Sequence, residues 1–166
     1  SMASINPDYN RLAGAIAVSN LQKNTKSSFT DTMKLLSNFR DINGKEYNLI
    51  HYQLIEILNK HGNEIDNYID YSRDFFFDYF GFKTLERAYL TKCNKVIVER
   101  PQHMWMRVAI SIHGNNLSKV HETYDYLSQG YFTHATPTLF HAGSNYQQLS
   151  SCFLLGTEDS VNGIFK

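Results

Sequence analysis

The side chains able to do chemistry gather in the C-terminal third of the sequence. Cys152 enters the short apolar run Ser150-Ser151-Cys152-Phe153-Leu154-Leu155. An accessible thiol with suitable neighbours is a nucleophile or half of a redox pair, yet a lone cysteine at the head of an apolar strand is ordinarily a buried structural residue. Thr136, Ser150 and Ser151 place hydroxyls around a loop and a strand start, a common setting for holding phosphate, while Thr136-Pro137-Thr138 also reads as plain turn chemistry. Asp159 precedes a helix start, where a carboxylate takes a ribose hydroxyl or simply caps the helix. Cys93, in a turn-like stretch, reads as structural. His103, His113, His121, His134 and His141 lack HExxH-type spacing with a carboxylate, and neither cysteine belongs to a CxxC or Cys/His cluster, so no metal site is expected. A hydrolase built on Cys152 with His134 or His141 has no evident orienting group or oxyanion motif.

These residues sit on a chain of 166 residues, 42% hydrophobic, with apolar positions spread along its length, enough for one compact unit. Sixteen basic and sixteen acidic residues cancel, which leaves no electrostatic footprint for nucleic acid or an anionic membrane. The longest apolar runs, such as Phe75-Phe76-Phe77, fall far short of the roughly 20 residues of a spanning helix, so a soluble protein is expected. Two cysteines favour a reducing, cytoplasmic setting. Ser1-Met2-Ala3-Ser4 reads as a cloning remnant.

The elements that must position the reactive residues follow from periodicity. A helix is expected from Pro7 to about Lys23, with Leu12, Ile16, Ala17 and Val18 close to helical spacing, and a second from Phe29 to Phe39, broken by Asp41-Ile42-Asn43-Gly44. Two more, over 52–60 and 64–77, are separated by His61-Gly62-Asn63, and the aromatic cluster Phe75-Phe76-Phe77 with Tyr79-Phe80 reads as core. Thr84–Leu90 and Lys95–Glu99 read as the strands of a hairpin turning at Thr91–Asn94. A helix starts at Pro101, with Met104, Val108 and Ile112 on one face, and stops at His113-Gly114-Asn115-Asn116; another covers about 118–128. An ordered loop over 131–146 then leads to a strand over 150–155, and a helix starting at Val161 is unfinished at Lys166.

Four segments carry a resemblance. Asp78-Tyr79-Phe80-Gly81-Phe82-Lys83-Thr84-Leu85-Glu86-Arg87, Glu99-Arg100-Pro101-Gln102-His103-Met104-Trp105-Met106-Arg107-Val108-Ala109, Tyr131-Phe132-Thr133-His134-Ala135-Thr136-Pro137-Thr138-Leu139-Phe140 and Gln148–Leu155 occur in an order and spacing that resemble the large subunit of class I ribonucleotide reductases, of eukaryotic and eukaryotic-virus type. The resemblance runs from about Pro7 to Lys166 and is strongest after Phe75. It implies a mainly α fold: a helical domain over 5–146, with a hairpin near 84–99 and a substrate loop near 131–146, then the first strand of a truncated α/β catalytic barrel over 147–166.

The same resemblance implies roles. Cys152 aligns with one of two redox-active thiols, Thr136 and Ser151 with residues that hold the substrate's diphosphate, and Asp159, Ser160 and Val161 with the start of the site where a deoxynucleoside triphosphate effector selects the substrate. The implied parent enzyme reduces ribonucleoside diphosphates to deoxyribonucleoside diphosphates by radical and dithiol chemistry. It pairs as a homodimer of large subunits with a small subunit that supplies a metal-generated radical, and takes ATP and deoxynucleotide effectors and a thioredoxin- or glutaredoxin-type reductant. The family's radical-carrying cysteine, second redox cysteine and ATP-binding cone have no counterpart here, so the chain reads as an internal fragment, inactive and cofactor-free by itself. The alternative is a naturally truncated, non-catalytic relative acting as an interaction module.

Overall fold

A computed structural model describes residues 7–150. In chain order it contains α1 (Pro7–Asn24), α2 (Phe29–Ser37), a hairpin of β1 (Phe39–Arg40) and β2 (Glu46–Tyr47), α3 (Tyr52–Tyr68), a 3-10 turn (Tyr71–Phe76) and α4 (Tyr79–Ala88). A second hairpin, β3 (Lys92–Cys93) with β4 (Val96–Ile97), precedes α5 (Pro101–His113), α6 (Leu117–Ser128) and α7 (Thr136–His141). The protein is mainly helical, as its periodicity and the resemblance both imply.

Helix α5 is the hub. Every residue from Pro101 to Ile110 is buried, the signature of a helix enclosed on all sides. Pro101 suits the first turn because its missing N–H would have no intrahelical partner there. Helix α6 packs along α5, α1 against α4, and α2 against α3. Phe29, Met33, Leu36, Ile65, Met104 and Val120 are fully enclosed between them, each such side chain contributing about 1.5–3 kcal/mol on transfer from water. Short polar residues start the helices: Ser28 accepts from the Asp31 N–H at 3.0 Å, Asp78 from Gly81 at 2.7 Å and Asn116 from Lys119 at 3.3 Å.

Several local expectations are corrected. His61-Gly62-Asn63 does not stop a helix: α3 runs through it, and Gly62 is buried where an added Cβ would lie 2.9 Å from Thr30 Oγ1, so the glycine admits α2 rather than ending α3. Thr84–Ala88 is helical, not a strand, because the Asp78 cap nucleates α4 and Phe82 anchors it in the core. The second hairpin is confined to 92–97 and turns two residues later than expected, at Asn94 and Lys95, whose φ values of 49° and 69° match a tight two-residue turn. Asp41–Gly44 is the turn of a further hairpin, with Asp41 Oδ1 accepting from the Asn43 and Lys45 N–H groups.

Most of the aromatic cluster is not core, although Phe77 packs against the core. Phe75, Phe76 and Phe80 are 43%, 71% and 56% exposed, since the residue that the 3-10 turn points inward is Asp74. Leu12 and Ile16 are likewise exposed, and α1 approaches its neighbour through Gly14, Val18 and Leu21 instead. Ile112 is exposed past the buried stretch of α5. The 131–146 segment is not wholly loop: it contains α7, with Pro137 in its first turn. The strand expected over 150–155 lies outside the described residues from Ser151 onward, as does the helix start at Val161.

Helix α1 meets the entry to α4 backbone against helix. A Cβ on Gly14 would sit 2.8 Å from the Phe77 carbonyl oxygen and 3.0 Å from the Tyr79 nitrogen, neither of which can swing aside. Gly14→Ala should therefore destabilise the fold by about 1–3 kcal/mol despite the better helix propensity of alanine. Urea unfolding of the two forms measures it, and equal midpoints would show that α1 can shift at no cost.

Candidate functional site

A buried ion pair organises the region around Thr136. Glu99 is fully buried and Arg107 is 2% exposed. Arg107 Nε donates to Glu99 Oε1 at 2.7 Å and Nη2 to Oε2 at 3.1 Å, the fork geometry of a bidentate pair. Glu99 Oε2 also accepts from the Thr91 backbone N–H at 3.1 Å and hydroxyl at 2.8 Å. The guanidinium has donors to spare. Nη1 reaches the Ala142 carbonyl at 2.7 Å and Nη2 the Leu139 carbonyl at 3.1 Å. One pair thus joins the second hairpin, α5 and the end of α7.

Thr136 is the first residue of α7 and is exposed. Its hydroxyl lies 3.2 Å from Tyr89 Oη, and the Tyr89 ring stacks on Phe140 with centroids 5.2 Å apart and planes 11° from parallel. Beyond α7 the chain is tied to the segment before α3: His51 N–H donates to the Gly143 carbonyl at 2.8 Å and Asn145 N–H to the Leu49 carbonyl at 3.2 Å. Thr138 Oγ1 donates to the Leu149 carbonyl at 3.3 Å, which brings the chain back to α7 just ahead of Ser150. Of the residues assigned a role, Thr136 stands at the surface of this scaffold. Ser151, Cys152, Asp159, Ser160 and Val161 lie outside the described residues. Cys93 is unbridged and partly buried, and burial pushes its thiol pKa up, the direction of an inert cysteine. Among the described residues no three His, Cys, Asp or Glu side chains group to hold a metal ion.

Comparison with known proteins bears directly on this arrangement. Residues 75–147, which hold α4, the second hairpin, α5, the ion pair and α7, match the family model described as the ribonucleotide reductase all-alpha domain. Over 168 residues the chain is 52% identical to the ribonucleoside-diphosphate reductase large subunit of Dictyostelium discoideum, covering 99% of the chain and 19% of that protein. It is 50% identical over 168 residues to that of Arabidopsis thaliana (100% and 21%) and 51% identical over 161 residues to that of Variola virus (96% and 21%). The chain belongs to the ribonucleotide reductase large-subunit family. It spans about a fifth of the length of the relatives it matches.

Within this reductase domain, the run Glu99–Arg107 has a structural reason at nearly every polar position. Arg100 crosses to the end of α1, donating to Thr25 Oγ1 at 2.8 Å and to the carbonyls of Gln22 and Thr25 at 2.8 and 3.1 Å, and its guanidinium lies over the Tyr71 ring. Gln102 Nε2 donates to Asp74 Oδ1 at 3.1 Å, Gln22 Nε2 donates to Oδ2 at 3.0 Å, and Tyr124 donates to Gln102 Oε1 at 2.8 Å. Burial pushes the Asp74 carboxyl pKa up, opposed by the two glutamine hydrogen bonds and Arg100. Burial also pushes the Tyr124 phenol up to about 12.

His103 Nδ1 accepts the Arg100 backbone N–H at 3.3 Å, so the neutral ring carries its proton on Nε2, which donates to Tyr71 Oη at 3.0 Å. Burial, then the Arg100 charge, pulls the His103 pKa down to about 3. A charge or amide recurring inside an otherwise apolar helix was the visible signal of this network. Its partners, Gln22, Asp74, Leu139 and Ala142, are too distant in sequence to be paired by inspection.

Two expectations follow. Arg107→Met leaves Glu99 charged and buried without its counter-ion and should cost about 3–5 kcal/mol, with amide hydrogen exchange rising at residues 139–145 before the rest of the domain; protection there equal to the parent's would show that α7 does not depend on the pair. For His103 the folded pKa lies below the ordinary 6.5, so its contribution to stability is full above pH 6.5 and is lost as pH falls towards 3. The slope is at most about 1.4 kcal/mol per pH unit. His103→Gln should flatten the stability profile across that window, and an unchanged slope in urea titrations would assign the acid sensitivity elsewhere.

Proposed function

We propose that the chain is a segment of a ribonucleoside-diphosphate reductase large subunit, which reduces ribonucleoside diphosphates to the deoxy forms that DNA replication consumes. The observation that carries the reading is identity of about one half over nearly the whole chain to large subunits from Dictyostelium discoideum, Arabidopsis thaliana and Variola virus. The geometry supports it. Thr136 presents an exposed hydroxyl on a helix whose last carbonyls are fixed by a buried arginine, the kind of rigid mount that substrate positioning needs.

In this reading Thr136 and Ser151 hold the diphosphate, and Asp159, Ser160 and Val161 open the deoxynucleoside triphosphate effector site. Cys152 is one of the two thiols that supply electrons. Replacement of the ribose C–OH by C–H takes two electrons and two protons from the thiol pair, releases water and leaves a disulfide, which a thioredoxin- or glutaredoxin-type protein then reduces. The partner thiol comes from beyond this chain in this reading, because the resemblance gives the second redox cysteine no counterpart here. A second large subunit, ATP and deoxynucleotide effectors, and a radical-generating small subunit complete the assembly, in the cytoplasm. No described helix is long and apolar enough to cross a membrane.

The test uses a full-length large subunit carrying this segment, assayed with its small subunit. Cys152→Ser should abolish multiple turnover with the fold intact, because a hydroxyl cannot close the disulfide. Thr136→Ala should raise KM for the nucleoside diphosphate by about tenfold, the cost of one hydrogen bond to a charged group. The 166-residue chain alone should reduce nothing. Sustained turnover by the Cys152→Ser enzyme would remove that cysteine from the redox pair.

A further inference from the structure

We propose that Tyr89 is a positioning residue for the diphosphate subsite, donating its phenolic proton to Thr136 so that the threonine's own proton is directed at a phosphate oxygen. The inference rests on the reading of Thr136 as a diphosphate ligand, and assigns a role to a residue from a different element. Tyr89 Oη and Thr136 Oγ1 are 3.2 Å apart, although the residues are 47 positions apart in sequence.

Both ends of that contact are held from the core, through the two halves of the Glu99–Arg107 pair. On one side, Tyr89 closes α4 through its N–H to the Leu85 carbonyl at 2.9 Å, the next residue, Leu90, is buried, and Thr91 is bonded to Glu99. On the other, Arg107 fixes the carbonyls of Leu139 and Ala142 at the end of α7. The Tyr89 ring lies flat on Phe140, one helical turn beyond Thr136, which sets the plane and reach of the phenol. Two hydroxyls on elements tied to one buried ion pair are held in register, unlike a chance surface contact.

Hydrogen-bond inventory gives the contact its direction. Each hydroxyl has one proton to donate and lone pairs that accept, whereas a diphosphate presents acceptors only. If Thr136 donates to Tyr89, no proton is left for phosphate. If Tyr89 donates to Thr136, the threonine proton is free, and the anion selects this arrangement. The chain from phenol to threonine to phosphate is then cooperative, each donor made stronger by the bond it accepts. Tyr89→Phe would keep the stack on Phe140 and lose only the hydroxyl.

The experiment is steady-state kinetics on the full-length large subunit carrying this segment, with its small subunit, comparing the parent, Tyr89→Phe, Thr136→Ala and the double variant. Tyr89→Phe should raise KM for the nucleoside diphosphate about three- to tenfold and weaken competitive inhibition by inorganic pyrophosphate by the same factor, with kcat within about twofold. In the Thr136→Ala background the same substitution should change neither value, because its effect passes through the threonine. If Thr136→Ala raises KM while Tyr89→Phe does not, or if the two effects multiply, the role of Tyr89 is refuted and that of Thr136 stands. If Thr136→Ala leaves KM and pyrophosphate inhibition unchanged, the diphosphate reading of Thr136 falls and the proposal falls with it.

Discussion

Arg107 has five N–H donors and almost no access to water, so every donor has to find an acceptor inside the protein. Glu99 supplies two oxygens and neutralises the charge, and the carbonyls of Leu139 and Ala142 take two further bonds. A buried ion pair is weak evidence for stability, because desolvation consumes most of the Coulomb attraction. What it fixes here is position. One carbonyl it engages lies in a six-residue helix too short to persist by itself and the other at its C-cap, and the hydroxyl that helix exposes at its start is the one proposed to meet substrate.

The remaining polar residues of α5 extend the same logic to other faces of the helix. Gln102 reaches Asp74 and Tyr124, His103 reaches Tyr71, and Arg100 reaches the end of α1. A single buried helix thus holds the 3-10 turn, α1, α6 and α7 in register, through bonds that are directional where hydrophobic contact is not. Exposed polarity and buried precision are separated: the segments around α7 carry exposed polar groups, and the elements beneath them are tied by directional bonds. Such a division is what the proposed diphosphate site at the exposed edge would require.

Helix α5 was legible from Pro101 at its start and His113-Gly114 at its end because capping is local, whereas the spacing that placed α1 included Leu12 and Ile16, which lie exposed. Local signals misled where tertiary contact decides. Gly62 looked like a stop and is a point of close approach to Thr30. Phe75 and Phe76 looked like core, but hydrophobicity does not say which residue of a turn faces inward, and here it is Asp74, whose carboxylate oxygens accept hydrogen bonds from amides on two distant helices. For the candidate site, Thr136 was legible only through the family resemblance. The devices that hold it, Arg107 with Leu139 and Ala142 and Tyr89 with Phe140, join segments tens of residues apart that no spacing rule connects.

The long reach of Arg107 also bears on how the chain acquires its shape during synthesis. Glu99 and Arg107 are eight residues apart and can pair as soon as α5 has left the ribosome, but the guanidinium then still lacks the carbonyls of Leu139 and Ala142. Until those residues emerge, burying the guanidinium would leave donors unmet, so α5 has reason to stay partly open to water. Completion of α7 removes that cost at one step. Final compaction of the domain is thereby tied to the appearance of its last described helix, and a translational pause before residue 142 would hold it in a loosened, chaperone-accessible form.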